Sequence, residues 1–392
     1  MILRFLLAFF VLINFPILSQ NKSIWTFKTN NRVYSSPVIE NNRIYIGSGD
    51  HYLYAINKNT GNLVWKYKTK GAVHSTPFIS NNLICFSSAD GNLYGVNKNN
   101  GNLVWKFESK GEKMYDLWDY YLSSPTGNTE TVYWGCADGN LYAIENKTGK
   151  LQWKFKTNGV VHASPVLYKE QVYIGSFDGY VYALGKDNGQ LLWKFKTVGD
   201  EYFPNGEIQK GLLVKDDVVY FGSRDYNMYA INSKTGTLLW NLKEKSGWII
   251  AIPTEHKGTL YFGTSDAHLF YAVDKKTGIV KWTAPLQMRV YGSGVVHNNT
   301  IYFGSFDGKI IGLNCDTGER NYEFQTESSK KNYSLMYNEK GHFKKGFELY
   351  GDDFEATEKL IHSLGSILST PIIENNRIYF GSSDGTIYTV KL

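Results

Sequence analysis

From residue 21 onward the chain is built of short runs in which apolar and polar residues alternate every second position, broken by Asp-Gly or similar polar pairs. Period two sends successive side chains to opposite faces of a strand, and a polar pair able to take positive φ is what a tight hairpin needs. One run, IYIGSGDHYLYAIN from Ile44, recurs as LICFSSADGNLYGVN from Leu83, VYWGCADGNLYAIE from Val132 and VYIGSFDGYVYALG from Val172. It returns as VYFGSRDYNMYAIN from Val219, LYFGTSDAHLFYAVD from Leu260, IYFGSFDGKIIGLN from Ile301 and IYFGSSDGTIYTVKL from Ile378. The hairpin aspartates Asp50, Asp90, Asp138, Asp178, Asp225, Asp266, Asp307 and Asp384 mark the period. Their spacing of roughly 40–50 residues suits a four-stranded propeller blade, and the last interval is lengthened by an insertion. Each Asp is explained by its turn, which leaves a calcium or acid/base array without support.

After each hairpin comes a second pattern, as in Ala55-Ile56-Asn57-Lys58-Asn59-Thr60-Gly61, followed by Trp65. It recurs ahead of Trp105, Trp153, Trp193, Trp240 and Trp282, with Tyr322 in the seventh copy, while the eighth copy reaches Leu392 before any such aromatic. Trp25, in SIWTF, has no repeat before it and supplies the missing one. The expected architecture is therefore all-β: an eight-bladed β-propeller of four-stranded blades over 21–392, its ring closed by the N-terminal strand, which removes the exposed edge of an open sheet. The insertion falls at about 326–365.

The pattern A-x-[DN]-x-x-T-G-x-x-x-W, preceded by G-S-x-D-G-x-[LV]-Y, resembles the tryptophan-docking motif of the PQQ-like (quinoprotein-type) β-propeller repeat family and covers essentially the whole of 21–392. The resemblance implies that Trp25, Trp65, Trp105, Trp153, Trp193, Trp240, Trp282 and Tyr322 lie between neighbouring blades, each indole N–H satisfying a backbone acceptor. It also raises two functional branches. Catalytic members are PQQ-dependent dehydrogenases, which are longer and carry adjacent cysteines, a calcium ion held by carboxylate and amide groups, and an Asp base. No Cys-Cys pair occurs here, and no catalytic residue carries over. The non-catalytic branch, represented by BamB-like outer-membrane assembly factors, is similar in length and eight-fold organisation and offers loops to partner proteins. This chain lacks the lipoprotein cysteine of that branch.

Functional candidates are sought where the repeat is decorated or broken. Ser35-Ser36-Pro37, Ser75-Thr76-Pro77, Ser123-Ser124-Pro125, Ala163-Ser164-Pro165 and Ser369-Thr370-Pro371 read as innermost strands, whose small residues suit crowding round one axis. The position before each, with Tyr34, His74, Leu122, His162 and Leu368, and Tyr291 in the degenerate seventh copy, belongs near one mouth of the channel. Two Tyr and two His in one column describe either a ligand or metal funnel or a wet channel lined by polar aromatics. His74 and His162 stand two blades apart, which disfavours a shared metal, since zinc needs three or four converging ligands. No metalloprotease spacing, nucleophile elbow or phosphate-binding glycine loop is present.

Three interruptions stand out, because binding tends to reside on loops of a rigid scaffold. GEKMYDLWDYY (111–121) carries Trp118, and DEYFPNGEIQ (200–209) carries Tyr202 and Phe203, followed by Trp248 near the next inner strand. Both precede an inner strand and should rise at the same mouth, as an aromatic rim for a peptide, glycan or flat ligand, or folded down as a plug. The third, at about 326–365, is read as a solvated excursion in which Asp353 caps a short helix from Glu355 to Leu364, with Leu360, Ile361 and Leu364 on its packed side.

The opening MILRFLLAFFVLINFPILSQ has one early Arg4 and an apolar run from Phe5 to Ile13, the outline of a secretory signal peptide over 1–20 and too short to span a bilayer comfortably. An exported chain, periplasmic or secreted, is expected, soluble after cleavage, not a lipoprotein, with no transmembrane span in its mature part. Cys85, Cys136 and Cys315 are odd in number, so at least one thiol stays unpaired within the chain, and all three are expected to be buried and inert. A net charge of +6 with Lys and Arg scattered among Asp and Glu does not support nucleic-acid binding. The reading is a non-catalytic binding or scaffold propeller for an envelope protein, a peptide or a small ligand, with no cofactor and no metal. Its alternative is a PQQ-dependent dehydrogenase with PQQ and calcium at an atypical site.

Overall fold

The first full repeat shows why these residues make blades. Strand β1 spans Ser23–Lys28, β2 Val38–Glu40, β3 Arg43–Gly47, β4 Tyr52–Asn57 and β5 Leu63–Lys68. In β3 and β4 both faces are covered, with Ile44, Tyr45, Ile46, Leu53, Ala55 and Ile56 all buried, because a middle strand of a blade is packed between two neighbouring blades. In β5 only Trp65 is buried while Leu63 and Val64 face out, the half-buried alternation of an outermost strand. The β4–β5 ladder runs Tyr54↔Lys66 and Ala55↔Trp65 and then shifts register before Ile56↔Leu63. That bulge tightens the twist beside the tryptophan. The same shift recurs at Gly95/Val96, Ala143/Ile144, Ala183/Leu184, Ala230/Ile231, Ala272/Val273 and Gly312/Leu313.

This computed structural model describes residues 22–350 and 352–392, and the expected signal peptide lies outside the described residues. The described chain forms eight four-stranded antiparallel sheets, seven of them unbroken meanders from inner to outer strand. In the last sheet β1 is the outer strand, paired antiparallel with Thr386–Lys391 (Trp25↔Thr389, Phe27↔Ile387), so the N-terminal strand closes the ring as expected.

Most of the hairpin aspartates act as turn formers and also as ties between blades; Asp266 departs from the expectation, its carboxylate going to Arg289 and the Tyr350 hydroxyl. Asp50 accepts from the Tyr54 hydroxyl at 2.6 Å and from the Asn30 amide at 2.9 Å. Asp90 repeats this with Tyr94 at 2.7 Å and the Lys70 amide at 2.9 Å. Asp178 does so with Tyr182 at 2.7 Å and the Asn158 amide at 3.0 Å.

Helices α1 (Glu327–Met336) and α2 (Phe354–Ser363) lie in the insertion. Thr326 caps α1 by accepting from the Ser329 amide, and Asp353 caps α2 through the Ala356 amide. The insertion is not the solvated excursion read from its charges: Met336, Tyr337, Ile361 and Leu364 are all buried. Its lysines sit on the outer side, while its apolar residues cover one end of the channel. Among the described residues no helix is long and apolar enough to cross a membrane.

Candidate functional site

Each indole of the repeat reaches the next blade's turn. Trp65 Nε1 donates to the Lys98 carbonyl at 3.1 Å and Trp105 Nε1 to Asn146 at 2.7 Å. Trp153 reaches Lys186, Trp193 Ser233, Trp240 Lys275 and Trp282 Cys315, while Trp25 reaches Lys58 across the closure. Tyr322 makes the equivalent contact through its hydroxyl to Lys391 at 3.2 Å. The turn glycine beneath the ring is required twice over: Gly149 has φ +73°, and a Cβ there would lie 2.8 Å from the Trp105 ring. The three cysteines are buried and free, and burial pushes each thiol up.

The inner-strand register places Tyr34, His74, Leu122, His162, Tyr291 and Leu368 in one column, completed in the two irregular blades by Gln209 and Ile250. The column does not line an open funnel. The segment 111–121 crosses it, and Tyr120 rests against Tyr34, Tyr291, Phe306 and His362 with ring centroids 5.4–6.1 Å apart. The Tyr121 hydroxyl reaches the far side, donating to the Leu368 carbonyl at 2.9 Å. Tyr34 meets His74 edge-on at 4.9 Å and takes a hydrogen bond from Arg32 at 3.1 Å. Burial holds the Tyr34 phenol up at about 12, and burial, with Arg32 adding to it, holds His74 down at about 4 and His362 at about 3, so both imidazoles are neutral.

Three buried polar clusters lock the cap onto the ring. His162, 1% exposed, lies with Nδ1 2.8 Å from Asp119 Oδ2 and Nε2 2.9 Å from Glu112 Oε2, both carboxylates equally buried. Burial alone would push this imidazole down, but the Asp119 and Glu112 carboxylates overcome it and hold it at about 10. Arg224, also 1% exposed, forks onto Asp116, donates to Gln209 Oε1 at 3.1 and 3.0 Å, and lies under the Trp248 ring at 4.7 Å. Trp248 in turn receives Phe203 at 4.7 Å and Trp118 at 5.7 Å, and Trp118 reaches Phe354 of α2 at 5.3 Å. Arg289 pairs with Glu358 of α2 at 2.8 Å and Asp266 at 3.3 Å, and Glu358 accepts from the Tyr120 hydroxyl at 2.7 Å.

The aromatic candidates thus divide. Trp118, Phe203 and Trp248 fold down into the cap, and Tyr202 stands out at 74% exposure. Beside the plug, between the 111–121 loop and α2, a cavity of about 690 Å³ stays open, lined by Arg32, Tyr34, His74, Leu117, Tyr120 and Lys359 among others. Its lip carries Met114, 64% exposed, and Leu117. Sequence reasoning missed Arg224, Arg289, Tyr120, Tyr121 and His362. The first two had a signal: Arg224 stands where other hairpins carry Phe177, Phe306, Ala89 or Ala137, and Arg289 occurs in the seventh repeat, where the inner-strand pattern is degenerate.

No curated protein matches the sequence. Among solved structures, BamB from Moraxella catarrhalis shares 16% identity, with a TM-score of 0.71 over 95% of this chain and 100% of that one. Quinohemoprotein alcohol dehydrogenase from Comamonas testosteroni shares 12% identity, with a TM-score of 0.72 over 95% of this chain and 76% of that one. At such identities these likenesses show the fold alone. The sequence itself matches, over 18–179, 115–201 and 177–337, the PQQ-repeat family model described as outer membrane protein assembly factor BamB, and it is to this family that the chain belongs.

Proposed function

We propose that the protein is an exported, non-catalytic binding propeller that presents its capped mouth to a protein or peptide partner in the cell envelope. The observation that carries this reading is the convergence of all three repeat interruptions on one mouth, locked there by His162, Arg224 and Arg289. The lock holds a cavity of about 690 Å³ with exposed Met114 and Leu117 at its lip, and Tyr202 stands exposed on the 200–209 loop. Apolar and aromatic side chains held at a rigid rim are what a partner's anchor residues use.

The dehydrogenase alternative asks the same mouth to accept a flat quinone and a calcium ion. Tyr120, Tyr121, Tyr291 and Leu368 fill the axis there. The buried carboxylates there already face cations: Glu112 and Asp119 each give one oxygen to His162, with Glu112 Oε1 and Asp119 Oδ1 left without a partner, and Glu358 takes Arg289 and the Tyr120 hydroxyl. These residues do not fit that pair of ligands, which favours the non-catalytic reading.

The test is a photo-cross-linking side chain placed at Leu117 or Tyr202 in living cells, with Leu63 on an outermost strand as control. A discrete adduct from the rim positions that is absent from Leu63 supports the proposal. Equal labelling from all three, or none, overturns it. In parallel, a saturable rise in thermal midpoint with PQQ plus calcium, together with dye-linked alcohol oxidation, would establish the enzyme instead.

A further inference from the structure

A second cavity, of about 600 Å³, lies on the other side of the plug, in the channel itself. Its wall is a belt of hydroxyls from Ser36, Thr76, Ser124, Ser164, Ser293 and Thr370. Most are tied blade to blade: Ser124 Oγ accepts from the Thr76 amide at 2.9 Å, Ser164 Oγ from Ser124 at 3.0 Å, Thr370 Oγ1 from Ser293 at 3.2 Å and Ser36 Oγ from Thr370 at 2.9 Å. An oxygen that has accepted an amide keeps its own proton to donate into the lumen. Ser293 Oγ has no hydrogen-bond partner. In the fifth and sixth blades Gly211 and Ile252 take the hydroxyl position, so the belt has a gap.

Lys210 enters beside that gap. Its Nζ donates to the Tyr291 carbonyl at 2.8 Å and lies 4.6 Å over the Tyr121 ring, on the floor of the channel. Among the described residues no carboxylate lies within ion-pair distance of it, so two of its three donors remain for a ligand. Burial alone brings the ammonium down to about 7. The titratable groups around it do not compete for that charge. Burial keeps Tyr34, Tyr121 and Tyr291 protonated, and His74 is neutral. Glu255, on the same wall, is engaged by Lys275 at 3.2 Å and by Lys215. A lone cation over an aromatic floor, with hydroxyl donors to one side and Pro37, Pro125, Ile252 and Pro371 beyond, is short of an anion and offers apolar contact to whatever carries it.

We propose that the channel below the plug is a binding site for a small organic carboxylate, its anionic end held by Lys210 Nζ and the hydroxyl belt and its apolar body lying along the proline-lined wall. This site is separate from the capped mouth and does not depend on the function proposed for it.

Sodium hexanoate is the probe and 1-hexanol its uncharged counterpart, each titrated calorimetrically into the full chain at pH 6 and pH 9. Hexanoate is expected to bind saturably at pH 6 and about 50- to 100-fold more weakly at pH 9, where only about one ammonium in a hundred keeps its proton. Hexanol should bind far more weakly at both. Lys210→Met should lose hexanoate binding at pH 6, and Lys210→Arg should bind it equally at both pH values, because guanidinium stays charged. Lys210→Met removes a buried charge and leaves the hydroxyl belt untouched; should it nonetheless misfold, the pH dependence of the native chain against Lys210→Arg decides alone. Absence of saturable binding at pH 6, binding unchanged by Lys210→Met, equal affinity for hexanol, or a pH profile retained by Lys210→Arg each overturns the proposal.

Discussion

Replacing His162 by Leu removes the one cation between Glu112 and Asp119 and should be among the most damaging changes outside the blade cores. Both carboxylates have nearly no solvent contact, and each keeps just one short amide donor, Tyr115 at 2.8 Å for Asp119 and Ala137 at 3.2 Å for Glu112. Breaking a buried ion pair by deleting one partner costs about 3–5 kcal/mol. The pH linkage gives a similar figure by another route: the imidazole is held at about 10 against its ordinary 6.5, and at ~1.4 kcal/mol per unit that interval is worth on the order of 5 kcal/mol. Because the folded value is raised, this stabilisation is complete below pH 6.5 and is lost as pH climbs through 10. The cost is capped, however, by whatever it takes to open residues 111–121 and return both carboxylates to water. Urea unfolding followed by tryptophan fluorescence from pH 6 to 10.5, with tryptic cleavage at Lys113 in parallel, separates the two. Expected are faster cleavage at Lys113 at neutral pH, a global loss no larger than about 3–5 kcal/mol, and a gap between the proteins that narrows steadily from about pH 6.5 and is nearly closed at pH 10. Identical cleavage rates, or a gap that is constant with pH, would refute the argument that a charged His162 holds the loop.

Other changes test the remaining joints. Trp105→Ala should cost about 3–5 kcal/mol by denaturant titration, through a lost ring and an orphaned Asn146 carbonyl. Gly149→Ala should also destabilise the chain, because it meets both positive φ and the Trp105 ring, whereas Gly258→Ala, with open space around it, should be limited to the cost of its φ. Arg224→Met leaves Asp116 without its fork and Trp248 without its cation, and should raise amide exchange in 111–121 and 200–209 together while the blade strands stay protected. Ellman's reagent should find no reactive thiol in the native protein and three after unfolding, since Cys85, Cys136 and Cys315 are all buried and free.

The repeat was legible because every blade meets its neighbours through the same parts: the Asp hairpin, the positive-φ glycine and the tryptophan recur at fixed offsets, so the alternation around them reports the fold directly. Trp25 was readable as the closing strand for the same reason, as a repeat element without its repeat. The cap was legible only in position. That 111–121 and 200–209 rise at one mouth follows from their place before inner strands, and the insertion, whose charges suggest a solvated excursion, joins them there. Whether Trp118 and Phe203 turn in or out depends on contacts with Trp248 and Phe354, from segments far along the chain. The charges of the insertion misled because they describe its outer face, while Met336, Ile361 and Leu364 decide where it packs. The first helix, α1, has a polar sequence, ESSKKNYSLM, whose order comes from the Thr326 cap and from Ser329 bonded to the Asp307 carbonyl at 2.6 Å.

What individualises this propeller is where single blades break the consensus with a charge. Arg224, His162 and Lys210 occupy positions that other repeats fill with small, apolar or uncharged residues, Arg289 stands where the first blade has Arg32, and a charge buried at such a position must find a partner or alter its protonation. Three find carboxylates: Arg224 takes Asp116, Arg289 takes Glu358 and Asp266, and His162 takes Glu112 and Asp119. Through Asp116, Glu358, Glu112 and Asp119 these contacts tie two interruptions of the repeat, 111–121 and the insertion, to the ring. Lys210 faces the other way, finds a carbonyl and an aromatic ring, and responds by a lowered affinity for its proton. The same kind of substitution therefore has opposite consequences on the two sides of the plug. Above it, charges are consumed in building a rigid rim; below it, one charge is left for something the chain does not supply.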